Sequence, residues 1–305
     1  MKNKKFDVAV VGATGLVGEA IVSILEERKF PVGKLYPLAS SRSAGKKVEF
    51  NKSHVTVEDL ATFDFSKVQI ALFSAGGSIS AEYAPKAAEA GAIVIDNKSY
   101  FRNDDDVPLV VPEVNHDAIA GYTQRNIIAN PKCSTSQMLV ALKPIYDAVV
   151  IERINVANYQ AVSGTGASGM EELAGQTANL LSFKDIVKKV YPKQIAFNVI
   201  PHIDVFQDNG YTREEMKMVW ETKKILGDDD ILVNPTAVRV PVFFGHAEAV
   251  HIETRDKILA ATAKELLLKA PGVRVMDDHK PGGYPTPVTE SAGKDPVFVG
   301  RIRED

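Results

Sequence analysis

The stretch FDVAVVGATGLVG, residues 6–18, decides the fold. FDVAVV is a short apolar run of strand length. After it a helical pattern runs through Ile21, Ile24 and Leu25 toward Phe30. Between the two stand Gly12, Gly15 and Gly18, at G-x-x-G-x-x-G spacing. Such a turn lets backbone N–H groups at a helix N-terminus meet a pyrophosphate, so the stretch predicts a dinucleotide site opening a Rossmann-type βαβ unit. A tight strand-to-helix turn with close packing also needs glycine, and the triplet gains its weight from following the first strand.

Working outward, KLYPLAS (34–40) reads as a second strand and VQIALFSA (68–75) as a third. AEYAPKAAEAGA (81–92) reads as an Ala-rich helix, and IVIDN (93–97) and NIIAN, ending at Asn130, as further strands. Strands separated by helices imply a parallel sheet. The second strand ends in LASSRSAGK (38–46). An NAD site commonly has an acid there for the ribose 2′-hydroxyl. This chain has Ser40, Ser41, Arg42 and Ser43, with no acid until Glu49. Hydroxyls and a guanidinium match a 2′-phosphate, so NADP is the expected cofactor. A solvated loop with an idle Arg42 is the other reading.

The texture changes after Cys133. STSQMLVALKPIYDA (134–148) reads as a helix starting at a Ser/Thr cap. RINVANYQAVSG (153–164), VIPHIDVF (199–206), AVRVPVFF (237–244) and AEAVHIETR (247–255) read as strands, with a charged helix at REEMKMVWETKKIL (213–226). Long strands with long connections suggest a mixed sheet in an α+β domain. The expected division is 1–129 and 130–305. Pro and Gly are dense from Pro271 to Pro296, which predicts irregular chain.

Cys133 is the only cysteine in 305 residues. It follows Asn130-Pro131-Lys132, where a turn gives way to a helix. A helix start favours a thiolate through its N–H groups and dipole. A lone cysteine is also commonly inert. Of six histidines, His246 stands out in VPVFFGHAEAV, after a glycine and at a strand end, with Arg239 earlier on the same stretch. A dinucleotide loop, a thiol at a domain junction and a histidine in the second domain together suggest nicotinamide-linked reduction of an acyl group through a thioester.

Composition narrows the field. The chain is 45% hydrophobic and 25% charged, with net charge -3, which suggests no nucleic-acid or anionic-membrane partner. One cysteine cannot form an internal disulfide. No run of about 18 apolar residues predicts a membrane span. The basic start, Met1 to Lys5, is followed by too short an apolar run for a secretory signal. A cytoplasmic setting is expected, and no metal site is.

Over essentially its whole length the chain resembles the aspartate-β-semialdehyde dehydrogenase family. The resemblance rests on GATGLVG, LASSRSAGK, ANPKCSTSQM, NYQAVSGTG, FNVIPHIDVF, NGYTREEMKMVWETKKIL and NPTAVRVPVFFGHAEAVHIET, in that order. It implies an NADP-binding α/β domain followed by a catalytic and dimerisation domain, in a homodimer or homotetramer. It further implies NADPH-dependent reduction of L-aspartyl-4-phosphate to aspartate semialdehyde and phosphate, serving lysine, threonine, methionine and diaminopimelate synthesis. By the same resemblance Cys133 is the nucleophile and His246 the acid/base, taking the thiol proton. Gln160 orients the acyl intermediate, Arg239 grips the α-carboxylate and Glu214 meets the α-ammonium. Arg102 and Lys217 hold phosphate, with Asn130 beside the thiol. Gly12, Thr14, Gly15, Leu16, Val17, Ser40, Arg42, Ser43, Ser163 and Gly164 contact the cofactor. The thiol is expected to face the nicotinamide at the domain junction. Glu214 and Lys217, three apart on a helix, also fit a plain surface ion pair.

The chain departs from the family pattern at Lys132, commonly Asn or Gly, at Lys98 and Tyr100, and at Ala167, often Lys. The family commonly continues past GRIRED with a strand and a helix, so loss of that segment and weaker NADP binding are expected. An N-acetylglutamyl-phosphate reductase-like enzyme is the near alternative, but it leaves Glu214 without an ammonium. A non-catalytic version of the fold is the alternative of another class.

Overall fold

The computed structural model describes residues 4–305, so Met1–Asn3 at the basic start lie outside the described residues. The chain forms two compact units, one ending at Lys132 and one spanning Cys133–Asp305.

The first unit is built on β1 (Phe6–Val11), whose residues Val8 to Val11 are all fully buried. A strand covered on both faces reads as a continuous apolar run, as this one does. Helix α1 (Leu16–Glu27) lays Ile21, Val22 and Leu25 against it. Then come β2 (Val32–Ala39), the hairpin β3 (Lys47–Phe50) and β4 (Ser53–Thr56), and the short β5 (Glu58–Asp59). The unit continues with β6 (Ile70–Phe73), α2 (Gly77–Glu89), β7 (Ile93–Asp96), α3 (Pro112–Asn115) and β8 (Ile127–Ala129). Six strands form one parallel sheet in the order β5-β2-β1-β6-β7-β8. With β2 on one side of β1 and β6 on the other, the order reverses beside the glycine turn. Open α/β sheets bind ligands at such a switch point.

The second unit opens with α4 (Cys133–Val149) and β9 (Ile151–Gln160). Next are α5 (Ala167–Leu181), α6 (Arg213–Leu226), β10 (Leu232–Arg239) and β11 (Ala247–Thr254). Helix α7 (Ala260–Lys269) and the parallel pair β12 (Val273–Val275) and β13 (Val297–Val299) complete it. Its main sheet is mixed: β9 is central, parallel to β10 and antiparallel to β11. Helix α6 is bounded by local signals. Thr212 and Glu215 form a reciprocal capping box, and Gly227 ends the helix in the left-handed region at φ 64°. Glu215 Oε1 also accepts from the Ala237 N–H at 2.9 Å, which ties this cap to β10.

Four expectations change. Residues 199–206 form no strand and make only isolated bridges, Ile200 to Arg239 and Phe206 to Thr212. Pro201 cannot donate to a ladder, and Asp204 at φ 69° breaks the extended path. The strand expected over 237–244 stops at Arg239, just before Pro241, and His246 accordingly precedes β11 rather than ending a strand. The strand expected to reach Gly164 ends at Gln160 and gives way to a 3-10 turn, Val162–Thr165. Helix α4 begins at Cys133 itself, so Ser134 lies inside its first turn and is fully buried instead of capping it.

Candidate active site

In the first unit the glycine turn divides its work. Gly12 has φ +86°, and a Cβ there would come within 2.9 Å of the Ala75 nitrogen. A Cβ on Gly18 would fall 2.1 Å from the Gly12 oxygen. These two glycines serve close packing. Gly15 is the N-cap of α1, exposed, with no side-chain cap on the helix, and Thr14 is half-buried beside exposed Leu16 and Val17. The first N–H groups of a helix have no intrahelical partner, so this end suits a pyrophosphate.

Ser40 and Arg42 are exposed and Ser43 half-buried in the turn after β2. An acid reaches this turn after all, from β5. Asp59 is held below the usual carboxylate range, first by a hydrogen bond with the Ser41 hydroxyl and then by the Ala61 N–H. Its Oδ1 caps a 3-10 turn by accepting from Ala61 at 3.0 Å. The Asp59 carboxylate is therefore already committed to the fold. Ser40 and Arg42 stay exposed in the same turn, with Ser43 half-buried.

Also in this unit, Arg102 and Asn130 meet on one residue. Arg102 Nη2 donates to the Asn97 carbonyl at 3.2 Å, and Asn130 Nδ2 donates to Asn97 Oδ1. The Asn130 N–H also bonds the Asp96 carbonyl at 2.8 Å, which seats this residue in the first unit. Asp96 is fully buried and accepts from Ser80 Oγ at 2.9 Å and the Lys98 N–H at 3.0 Å. Burial raises its pKa against these hydrogen bonds and the charges of Arg102 and Lys98. Burial likewise lowers the pKa of the Lys98 ammonium, with Asp96 opposing and Arg102 adding. The bulky Tyr100 turns outward, 55% exposed.

In the second unit the candidate groups gather where β9 and β10 end. Cys133 is exposed at the first position of α4. Gln160 and Arg239 are register partners on adjacent parallel strands, and both are buried. Arg239 Nη1 donates to the Ala161 carbonyl at 2.8 Å, and no carboxylate pairs with it among the described residues. Burial lowers the pKa of its guanidinium, and the charges of Tyr191 and Cys133 act the other way. A buried guanidinium without a counter-ion is costly, and a bound carboxylate relieves that cost.

His246 joins the same turn. Its Nδ1 accepts from the Ala161 N–H at 3.0 Å. Gly164 packs against both groups: a Cβ there would lie 2.9 Å from Arg239 Nη1 and 3.5 Å from His246 Nε2. Ser163 is half-buried beside it, its N–H bonded to the Phe243 carbonyl. Ala167, a departure from the family pattern, is exposed at the start of α5.

Glu214 is buried in the first turn of α6, and Lys217 lies between two acids, 3.4 Å from Glu214 Oε2 and 2.8 Å from Asp204 Oδ2. The pair is thus part of a three-charge cluster and not a solvated helix pair. Sequence reasoning missed Asp204, and nothing local marks it except its place in the NVIPHIDVF stretch. It also missed Asn158, Ser134 and Glu248, which join Gln160 in a hydrogen-bonded chain. Among the described residues, no group of three or more His, Cys, Asp or Glu is placed to hold a metal, and no helix is long and apolar enough to cross a membrane.

Comparison with known proteins accounts for both units. The family model described as semialdehyde dehydrogenase, NAD binding domain, matches residues 7–122, and the one described as semialdehyde dehydrogenase, dimerisation domain, matches residues 142–305. An aspartate-semialdehyde dehydrogenase of Shewanella sp. (strain DB6705) is 61% identical over 303 residues, covering 99% of this chain and 89% of that protein. The one of Bacillus subtilis (strain 168) is 50% identical over 306 residues, covering 98% of this chain and 88% of that protein. A crystal structure of aspartate semialdehyde dehydrogenase II from Vibrio cholerae, complexed with ASA, superposes with TM-score 0.97 at 59% identity, covering 99% of this chain and 89% of that one.

Proposed function

The chain belongs to the aspartate-semialdehyde dehydrogenase family, and from that premise we propose that it reduces L-aspartyl-4-phosphate to L-aspartate-4-semialdehyde with NADPH, releasing phosphate. The observation that carries the reading is Arg239. Its guanidinium is buried beside Gln160, His246 and Gly164, bonded to the Ala161 carbonyl and, among the described residues, to no acid. A planar fork in that state recognises a substrate carboxylate.

Cys133 Sγ, as the thiolate that the start of α4 favours, attacks the acyl carbon of the mixed anhydride. The C–O bond to phosphate breaks and a thioester forms. Gln160 holds the acyl carbonyl in line. His246, with Nδ1 occupied, presents Nε2–H to the oxygen that gains charge. Arg239 takes the α-carboxylate and Glu214 the α-ammonium. Lys217, Arg102 and Asn130 take phosphate. The glycine turn with Ser40, Arg42 and Ser43 fits NADP, which when bound supplies the hydride that reduces the thioester. Loss of the thiolate from the reduced carbon then gives the aldehyde. The protein acts as a homodimer or homotetramer in the cytoplasm, and feeds synthesis of lysine, threonine, methionine and diaminopimelate.

The test is NADP reduction with aspartate semialdehyde and phosphate at mildly alkaline pH, on the chain and on Cys133→Ala. Thiol- and phosphate-dependent turnover supports the reading. Turnover with N-acetylglutamate semialdehyde instead, or none in either protein, sinks it. Sedimentation of the same sample tells dimer from tetramer.

A further inference from the structure

The face of β9 that carries Gln160 also carries Asn158, two residues earlier and fully buried. Asn158 Nδ2 donates to Glu248 Oε1, on the residue paired with it in β11. Ser134 Oγ approaches Asn158 Oδ1 at 3.4 Å, and Gln160 Nε2 approaches Ser134 Oγ at 3.2 Å. Ser134 is the neighbour of Cys133 and is fully buried. Four side chains thus run from a half-buried carboxylate on one edge strand to the first turn of α4 and the end of the central strand.

The direction of this chain is forced. A carboxylate only accepts, so Asn158 must turn its NH2 toward Glu248 and its carbonyl toward Ser134. Ser134 must then donate its hydroxyl proton to Asn158, which leaves its lone pairs for Gln160. Gln160 answers with Nε2 and points Oε1 away from Ser134. Without Glu248 the amides of Asn158 and Gln160 could each turn over, and the hydroxyl could follow.

We infer that Glu248 and Asn158 are positioning residues that act through Ser134 to fix which end of the Gln160 amide faces an acyl group on Cys133. The inference rests on the roles proposed above for Gln160 and Cys133. With a neutral amide at position 248, buried polar groups would be satisfied by either direction of the chain. A charge at its far end selects one.

The test uses a reciprocal exchange in the 305-residue chain. In Glu248→Gln the fixed acceptor is lost; in the double variant Glu248→Gln with Asn158→Asp the carboxylate moves one position along and the direction is restored. Glu248→Gln is expected to lower kcat about tenfold with KM for aspartate semialdehyde within about twofold, and the exchange to recover most of kcat. A structural role alone would lower the melting temperature and leave that split unseen. Unchanged kcat in Glu248→Gln, or no recovery in the exchange, overturns the inference. If Glu248→Gln does not fold, the exchange is judged alone: near-normal kcat supports the inference and a tenfold loss overturns it. If the unaltered protein does not turn over aspartate semialdehyde, the substrate reading fails by itself. The relay is then read from the burst of p-nitrophenolate as p-nitrophenyl acetate acylates Cys133. The same ordering of burst rates supports it, and equal rates or no burst in any variant overturn it.

Discussion

His246 Nδ1 accepts a hydrogen bond from the backbone N–H of Ala161 at 3.0 Å. A backbone N–H can only donate, so the neutral ring carries its proton on Nε2. His246 is therefore seated as a donor toward the turn that holds Arg239 and Gly164. Accepting the thiol proton, the other half of the role expected from sequence, would require the Ala161 contact to break. Nitrogen-15 spectra of imidazole-labelled protein should show the Nε2–H tautomer for neutral His246. The Nδ1–H tautomer would show that the contact is not made in solution. His246→Ala should lower kcat by roughly 10²–10⁴.

Gly245 precedes that histidine at φ +87°, and a Cβ there would stand 2.9 Å from the Pro287 oxygen and 3.0 Å from Pro287 Cβ. Both the backbone angle and the close approach require glycine. Gly245→Ala should cost about 1–3 kcal/mol in denaturant unfolding. It should also lower kcat by shifting the His246 ring. Gly282, at φ +75° with nothing within 4 Å of its Cβ position, is the control. Gly282→Ala should carry the backbone cost and leave kcat alone. Equal kinetics in the two variants would mean that the Pro287 contact does not seat His246.

Asp204 links stability to pH. Burial opposes its charge, but the Lys217 hydrogen bond, the Val205 N–H and the charges of Lys217 and Arg213 outweigh it and hold the carboxyl below its ordinary value. A carboxylate with a depressed folded-state pKa stabilises the fold above its unfolded pKa of about 3.9, and that stabilisation fades as pH falls through the folded value. Asp204→Asn should therefore lower the melting temperature at neutral pH and flatten its decline below about pH 4. Parallel acid limbs in the two proteins would show that Lys217 does not hold this carboxylate. The same variant leaves Glu214 as the remaining acid on Lys217. An altered KM for phosphate would then tie the cluster to the anion.

Local signals were the legible part of this chain. Helix α6 runs over Arg213–Leu226, the span read from sequence, because Thr212, Glu215 and Gly227 bound it within a turn of each end. The first strand was legible because a strand buried on both faces is apolar throughout. Residues 199–206 were not, since Val199, Val205 and Phe206 are apolar yet more than half exposed in this chain, so composition imitates a buried strand. Cys133 and His246 were singled out by residue type and a nearby proline or glycine, and Arg239 by lying on the same stretch as His246. Their supports did not. Asn158 and Glu248 lie 90 residues apart and meet only through strand pairing, and the Ala161 amide has no side-chain signature at all. A polar residue in a strand reads as solvent-facing until the neighbouring strand and helix are in place.

The turn after β2 gives the last prediction. Ser41 is bound to Asp59, whose carboxylate also caps the following 3-10 turn. An acid committed in this way is poorly placed to take a ribose 2′-hydroxyl, while the exposed Arg42 guanidinium is free to meet a 2′-phosphate. Arg42→Glu should weaken NADPH binding at least tenfold more than NADH binding, read by nicotinamide fluorescence in parallel titrations. Asp59→Asn should disturb the turn for both cofactors alike, because it loosens the cap without touching the phosphate. Equal losses for the two cofactors in Arg42→Glu would remove Arg42 from the site. A selective gain of NADH binding in Asp59→Asn would show that Asp59, and not the serine–arginine turn, sets the preference.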